Sequence, residues 1–564
     1  MIRFSLLFLI FCAVKVEAQS NFYVSTTGND NNNGSFNTPW LTIQHGLNQL
    51  NANDTLNLFS GVYHEKITIP SNAICLRNYL NAQPIIDASG LTNQIPIIAI
   101  NNKSGITIDG LELKNNIQLD AQGILIDGFG SAITISNCKI HDIHFSSNSL
   151  DPVNASTNAQ GIIVYGNNSS FPIEQLKIVN NELYNCRLGY SEGIAVNGNV
   201  DGFEISGNNV HHLTNIGIDI IGHEGTCSNP MNDQARNGLV KKNTIHDCLS
   251  PYATSGGIYI DGGKSIIVEN NTSYQNGYGI EVGCENVGKT TDGIVVRNNV
   301  FYDNEVAALA LGGFDYPNGS GKVTNASFRN NTCFMNDFSN SGDGELYLSY
   351  SENSILENNI FYLSTQNNLA YSELGQPSIL FDYNLIYSSG GENNMTIDWN
   401  GNAFNSFAAF QSGTGLNTQS TFSDPLFVSP NILAPNFHLT SASPAIGAGN
   451  PNFNPSSTEL DMDGESRANG NVDCGADEYY PTTGLSAEIS TENVLIFPNP
   501  FTNYVEVESF VKPFNELKLF SSTGQMILEK EDVNASFLIL NLELLDPGVY
   551  SLVIDNTVFK KLIK

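Results

Sequence analysis

Between residues 120 and 390 the chain alternates apolar and polar positions in short runs, among them "GIAV", "GIDI", "GIYI" and "GIEV". Period-two alternation predicts β-strands, and no helical period competes with it. A second pattern recurs beside the first: an apolar residue, two mostly polar residues, an asparagine, two residues and then an aromatic or histidine. It reads "IVNNELY" (178–184), "ISGNNVH" (205–211), "VKKNTIH" (240–246), "VENNTSY" (268–274), "VRNNVFY" (296–302), "FRNNTCF" (328–334) and "LENNIFY" (356–362), with a shorter "FDYNLIY" (381–387). The asparagines fall at 181, 208, 243, 271, 299, 331, 359 and 384, with successive spacings of 27, 35, 28, 28, 32, 28 and 25. A period of this size with short strands in each repeat predicts an all-β solenoid, a parallel β-helix. The asparagines should stack as a hydrogen-bonded ladder from coil to coil, and the aromatics as a second ladder. His141, His211 and His246 stand where neighbouring coils carry Tyr or Phe, so they are read as ladder residues rather than ligands.

The same alternation orients the remaining side chains. In each "GIxI" strand the two flanking apolar residues must fill the core, so the x residue points outward. From about residue 123 the x residues are Leu125, Ile163, Ala195, Asp219, Tyr259, Glu281, Ala310 and Tyr347, and Asp261 shares the parity of Tyr259. Asp219 is thus expected on an exposed outer face, not as a buried charge, with Tyr259 and Glu281 on the next two coils. At about 4.8 Å per coil, Asp219 and Glu281 lie about 10 Å apart at the backbone. Three long insertions leave this same strand, "IGHEGTCSNPMNDQARNG", "GCENVGKTTDG" and "GGFDYPNGSGKVTN". They predict a wall beside the outward patch, where loops on a rigid scaffold carry function. Asp219, Asp261, Glu281 and His223 are the candidate catalytic residues, and Tyr259, Glu224, Arg236 and Lys264 the candidate substrate-binding residues.

Composition narrows the functional classes. The net charge is −32 although only 14% of residues are charged. The surface is therefore mostly Asn, Ser, Thr, Gly and Tyr, and phosphate-directed nucleic-acid binding, which needs clustered Lys and Arg, is excluded. Residues 1–18, with Arg3, the apolar run Phe4–Val14 and Val16-Glu17-Ala18, read as a secretory signal. No later run is long enough to span a membrane. The eight cysteines after it show no zinc spacing, and Cys227 and Cys284, in loops after related strands, are a candidate disulfide.

The opening "YVSTTGND", the helical "PWLTIQHGLNQL" and the strand "DTLNLFSGVYHE" resemble the pectate-lyase-like right-handed β-helix superfamily over about residues 20–480. The resemblance implies an N-terminal cap and first strands at 19–75, coils at 76–390 and a closing segment at 391–480. Within that segment Asp461, Asp463, Arg467 and Asp473 are expected as turn and ion-pair residues. After a linker at 481–493, residues 494–564 resemble the C-terminal sorting domain of the Bacteroidetes type IX secretion system, a small β-sandwich, through "FPNPF", "LFSSTGQ", "LDPGVYSLVI" and "KKLIK". That resemblance implies export across the outer membrane, to the surface or beyond, with the type IX machinery as partner. Three functions fit the outward patch: a polysaccharide hydrolase using Asp219, Asp261 and Glu281 as acid and base; a lyase on a uronic-acid glycan, with His223, Arg236, Lys264 or Tyr259 at the base position and Ca²⁺ on the acidic patch; and a glycan-binding or adhesive surface protein. The chain lacks the clustered-aspartate and paired-aspartate motifs of the pectate lyases and polygalacturonases of this fold.

Overall fold

The computed structural model describes residues 20–373, 375–467 and 470–480, and in the C-terminal part 494–497, 501, 503–509, 513–521, 526–530, 533–542, 545, 548–554 and 558–564. The leader and linker expected at 1–18 and 481–493 lie outside the described residues. The chain divides into two compact units, 1–479 and 480–564.

The first unit is a right-handed parallel β-helix built from three sheets of 13 strands each. The first sheet runs from Asn21–Val24 to Leu380–Asp382, the second from Ile67–Thr68 to Asn402–Phe404 and the third from Gly61–Tyr63 to Thr421–Phe422. Successive coils contribute one strand to each sheet, the second sheet ending instead in an antiparallel pair, Thr396–Trp399 with Asn402–Phe404, and alternate apolar residues of all three sheets meet in one continuous core. The turn between the first and third sheets explains the Asn-Asn doublets. Its first residue adopts a left-handed backbone, at Asn180 (φ 55°), Asn270 (56°), Asn298 (57°), Asn330 (52°) and Asn358 (61°), a conformation asparagine tolerates better than most residues. Its second residue is the ladder asparagine.

From Asn181 to Asn384 each ladder amide donates to the carbonyl oxygen of the next amide at 2.9–3.1 Å. The same nitrogen reaches back to a backbone carbonyl of the preceding coil, as Asn271 does to Val240 at 2.9 Å. A second ladder that the motif did not reveal runs Asn276, Asn304, Asn336, and Glu345 closes it by accepting from Asn336 at 2.7 Å. The aromatic ladder stacks His141, Tyr184, His211, His246, Tyr274 and Tyr302 with ring centroids 4.7–5.3 Å apart. Tyr302 and Phe334 then both pack on Phe437.

The ends are covered as a solenoid requires. Helix α1 (Ile43–Gln49) buries Ile43 and Leu47 on the first coil. Helix α2 (Phe407–Thr414) buries Phe407 and Phe410 at the far end, with Ser406 capping its N-terminus. The segment after α2 does not stay at that end. It returns along the flank of earlier coils, where Phe427, Phe437 and Leu439 pack on Phe334, Ile360 and Leu385. There Arg467, fully buried, pairs with Glu478 at 2.9 Å. Asp461 accepts backbone N–H groups of Asp463 and Glu465, and Asp463 pairs with His438 at 2.8 Å. The candidate pair Cys227 and Cys284 forms no disulfide: both are buried free thiols. The Cys227 sulfur lies 3.6 Å from the Asn168 carbonyl and the Cys284 sulfur 3.9 Å from that of Asn286.

The second unit has a three-stranded sheet (Val494–Phe497, Tyr504–Ser509, Phe537–Asn541) and a four-stranded antiparallel one. Val505, Val507 and Leu540 of the first share a core with Leu517, Leu519 and Leu552 of the second, which makes a small sandwich.

Candidate functional site

The second sheet holds the outward residues in strict register: Leu125, Ile163, Ala195, Asp219, Tyr259, Glu281, Ala310 and Tyr347 are successive lateral partners. Small residues bracket the polar rungs, Ala195 on one side and Ala310 on the other. Ile163, Ala195 and Ile221 form an apolar cluster separate from the central core, as residues on the outer face must.

The outer face here is not exposed, and this corrects the expectation for Asp219. Its side chain points away from the core, yet it is only 3% exposed, and Tyr259 and Asp261 are 5% and 4% exposed. The insertions fold over the sheet instead of projecting from its rim. Asp233 pins the first one by accepting from the N–H groups of Gly225 at 2.7 Å and Cys227 at 2.8 Å. That holds Glu224 over the rungs, where Asn286 of the second insertion donates to it. Three segments C-terminal to the covered rungs, Thr290–Asp292, Lys322–Thr324 and Ser351–Glu352, pair as a small parallel sheet of their own.

Two hollows remain beneath this cover. One, of about 540 Å³, is lined by Glu281, Glu285, Tyr259, Tyr278, Phe314 and Tyr347. The other, of about 370 Å³, contains Glu192, Asp219, Glu224, Asp261, Gln160 and Asn197. They share Tyr259 and Glu285. Room for the first depends on Gly283, which faces Asp261 in register: a Cβ there would lie 3.1 Å from the Tyr259 hydroxyl. No lysine, arginine or histidine lines either hollow.

Crowded carboxylates without a counter-charge hold their protons. Burial and then Glu285 push Glu281 up to about 8. Burial, with Glu285 and Glu224 nearby, raises Glu192 to about 8. Asp219 is raised well above the carboxylate range by burial, then by Glu192 and Asp261. Asp261 is raised by burial and Glu285, opposed by the Glu285 N–H, which donates to it at 2.8 Å. Glu285 is the most accessible of the set. Burial and Glu224 raise it, but the Tyr259 hydroxyl donates to it at 3.4 Å and favours its charged form.

Of the residues chosen from the sequence, the structure brings together Asp219, Asp261, Glu281, Tyr259 and Glu224. It places three elsewhere. His223 donates to the Thr290 carbonyl at 3.3 Å, away from both hollows, and burial lowers its basicity. Arg236 lies in the first sheet, bound to Asp201 at 3.0 Å and Asn199 at 3.0 Å. Lys264 is exposed beside it in the same sheet's extension. Two acids were missed. Glu285 was within reach of the parity argument, since 281, 283 and 285 alternate outward. Glu192 sits in irregular backbone two residues before its strand, where alternation says nothing.

Glu224, Asp261 and Glu285 each place a carboxylate oxygen within 4.8 Å of the others. That all-oxygen, anionic set suits a hard divalent cation such as Ca²⁺.

The chain is a right-handed β-helix protein carrying an export domain: the model of the right handed beta helix region matches residues 72–335, and that of the secretion system C-terminal sorting domain matches 495–564. It belongs to the family of the uncharacterized protein YwoF of Bacillus subtilis, 31% identical over 426 residues that cover 72% of this chain and 88% of that protein. The sorting domain marks it for the type IX machinery and for the cell surface or the medium. Among the described residues no helix is long and apolar enough to cross a membrane. Similar solved structures include pectate lyase Pel9A, 16% identical with a TM-score of 0.45 over 83% of this chain and 98% of that one. Another is a GH136 lacto-N-biosidase from Eubacterium ramulus, 14% identical with a TM-score of 0.41 over 65% of this chain and 64% of that one. At such identities the chemistry rests on this site's own residues.

Proposed function

We propose that this exported protein hydrolyses a glycan lacking acid groups, by carboxylate acid and base catalysis in the hollow beside Tyr259. The observation that carries the reading is the composition of the two hollows: six carboxylates, several tyrosines and no basic side chain. Glu281 keeps its proton near neutral pH and is the general acid for the leaving oxygen. Glu285, more accessible and hydrogen-bonded by Tyr259, is the ionised partner that activates water or attacks the anomeric carbon. Two carboxylates whose surroundings push their protonation apart are the requirement of glycoside hydrolysis. Asp261 fixes the Glu285 backbone and is a positioning residue. Tyr278 and Tyr347, stacked with centroids 6.2 Å apart, with the exposed Phe314, offer ring faces for a sugar.

The lyase reading has one favourable feature, the cation-competent set Glu224, Asp261 and Glu285. Against it, a polyuronate would enter a hollow with no cationic side chain, and of the four candidate bases only Tyr259 is there, with its hydroxyl donating to Glu285. The test incubates the mature protein with neutral and uronic-acid glycans, following reducing ends and absorbance near 235 nm. Reducing ends alone on neutral glycans are expected, and a parallel rise near 235 nm on uronates would establish the lyase instead. No product from any glycan, with retention on a glycan column, would make the protein a binder.

A further inference from the structure

The aromatic ladder of the third sheet uses the faces of its rings and leaves the ring edges free for other partners. Its three histidines all turn the same edge the same way. In each, Nδ1 meets the side chain of the next residue: His141 meets Asp142 at 2.7 Å, His211 meets His212 at 2.7 Å and His246 meets Asp247 at 2.6 Å. Those next residues have left-handed backbones, with φ of 55°, 55° and 54°. On two adjacent coils the pattern converges. His211 and His246 are lateral partners, so His212 and Asp247 are neighbours as well. The His211 and His246 rings stack 4.9 Å apart and within 2° of parallel, and the His212 ring stands across both, at 80° and 79°. His212, His246 and Asp247 each bring one ligand atom within 4.8 Å of the other two. The segment that returns along the flank meets this sheet at Val300, Tyr302 and later coils, and His212 is exposed.

The neighbouring coils show that the fold does not demand these residues. One coil earlier the ring position is held by Tyr184 and the turn position by Asn185; one coil later they are held by Tyr274 and Gln275. Asn185 and Gln275 adopt the same left-handed backbone, with φ of 52° and 54°. A tyrosine and an amide thus satisfy stack and turn, whereas these two coils carry three imidazoles and a carboxylate instead. Two imidazoles and a carboxylate suit a borderline divalent ion such as zinc or copper(II), while calcium takes oxygen ligands. Zinc bonds of about 2.0–2.2 Å place the ligand atoms about 3.3–3.6 Å apart. His246 and Asp247 already lie closer than that, and the exposed His212 ring is the one that must close in. His211 steadies that ring, and a Glu182 oxygen lies 3.7 Å from His211 Nε2, a carboxylate behind an imidazole of the kind that supports metal ligands. A cation beside the site would repel a metal ion, but burial and then His246 and His212 lower the basicity of His211.

We propose that His212, His246 and Asp247 bind one borderline divalent transition-metal ion, of the zinc and copper(II) class, which clips two adjacent coils together on the third sheet, with His211 as a positioning residue. The site lies on a different sheet from the acid row and does not depend on the glycan reading. An ion held between two coils binds the folded chain in preference to the unfolded one and stabilises it by mass action. The test uses the mature full chain after treatment with a chelator. Zinc is titrated by calorimetry, and copper(II) is added for electron paramagnetic resonance. The variants borrow the residues of neighbouring coils, His246→Tyr and His212→Asn, so the stack and the turn are kept, and circular dichroism checks their fold. Glu224→Gln serves as the control for the acidic set beneath the insertions. Zinc uptake is expected in the parent protein and in Glu224→Gln, weakened roughly tenfold or more in each histidine variant, since losing a direct ligand costs no less than losing its support. Bound copper should show nitrogen coupling from two imidazoles, and from one in either variant. No zinc uptake, equal uptake by the parent and both histidine variants, uptake lost in Glu224→Gln alone, or a copper signal without coupling to two nitrogens would overturn the proposal. The copper spectrum of the parent protein decides the matter even if a variant fails to fold.

Discussion

Two rows of polar side chains climb the same coils, and they solve burial in opposite ways. The asparagine ladder is buried throughout, and each amide both donates to the next and accepts from the last. An amide carries both functions, so it tiles without limit. Asp219, Tyr259 and Glu281 form a row of equal register one sheet away. Carboxylates accept and, when ionised, do not donate. They cannot tile, so they repel, hold protons and leave oxygens unpaired. A solenoid tolerates the first row anywhere along its length. The second row is costly, and it occurs where insertions cover the sheet and hollows open beneath them. The contrast teaches that periodicity alone does not distinguish structure from function in a β-helix. The donor and acceptor balance of the repeating residue does.

The largest test of this contrast is catalytic. Glu281→Gln should lower turnover by about 10²–10⁴-fold, as loss of a general acid does, with folding intact by circular dichroism. Undiminished turnover would move the chemistry out of this row. In the other row, Asn271→Ala should cost about 3–5 kcal/mol in urea unfolding. It orphans the Val240 carbonyl and the Asn243 N–H, which Asn271 accepts at 3.0 Å, and it cuts the ladder. A loss under 1 kcal/mol would mean that the ladder follows the fold without stabilising it.

Acid-row stability should depend on pH in the direction set by its raised carboxyls. Glu281 binds its proton up to about 8 when folded but only to about 4.3 when unfolded. The folded state therefore holds more protons between those values, and stability falls as pH rises through that window. A decline of roughly 1–3 kcal/mol from pH 4.5 to 8 is expected, smaller in Glu281→Gln, by denaturation at fixed salt. The asparagine ladder contributes nothing to this slope. The smallest effect belongs to Tyr259→Phe, which removes only the 3.4 Å hydrogen bond to Glu285. Turnover should drop a few-fold and stability change by about 0.5 kcal/mol or less, and a collapse of activity would give Tyr259 a direct part in the reaction.

How far the sequence could be read follows from what each residue answers to. Ladder asparagines, core isoleucines and the outward parity of 219, 259 and 281 are fixed by nearest-coil repeats, and period two carries that information along the chain. Glu285 continues the same parity and was legible in principle. Glu192 was not, because it enters the hollow from irregular backbone ahead of its strand. His223 and Arg236 looked like site residues because they adjoin Asp219 in sequence. The insertion turns His223 toward Thr290, and Arg236 has already moved on to another sheet, where Asp201 holds it.

By itself, then, the sequence determined the β-helix, its asparagine and aromatic ladders, its export domain and the outward direction of the acid row, since each of these is a local or periodic property. The tertiary structure alone decided that the row is covered, which loop residues reach it and which oxygens lack a donor. Those outcomes depend on how insertions from different coils fold across one another, and aperiodic loops leave no repeat from which their path can be read.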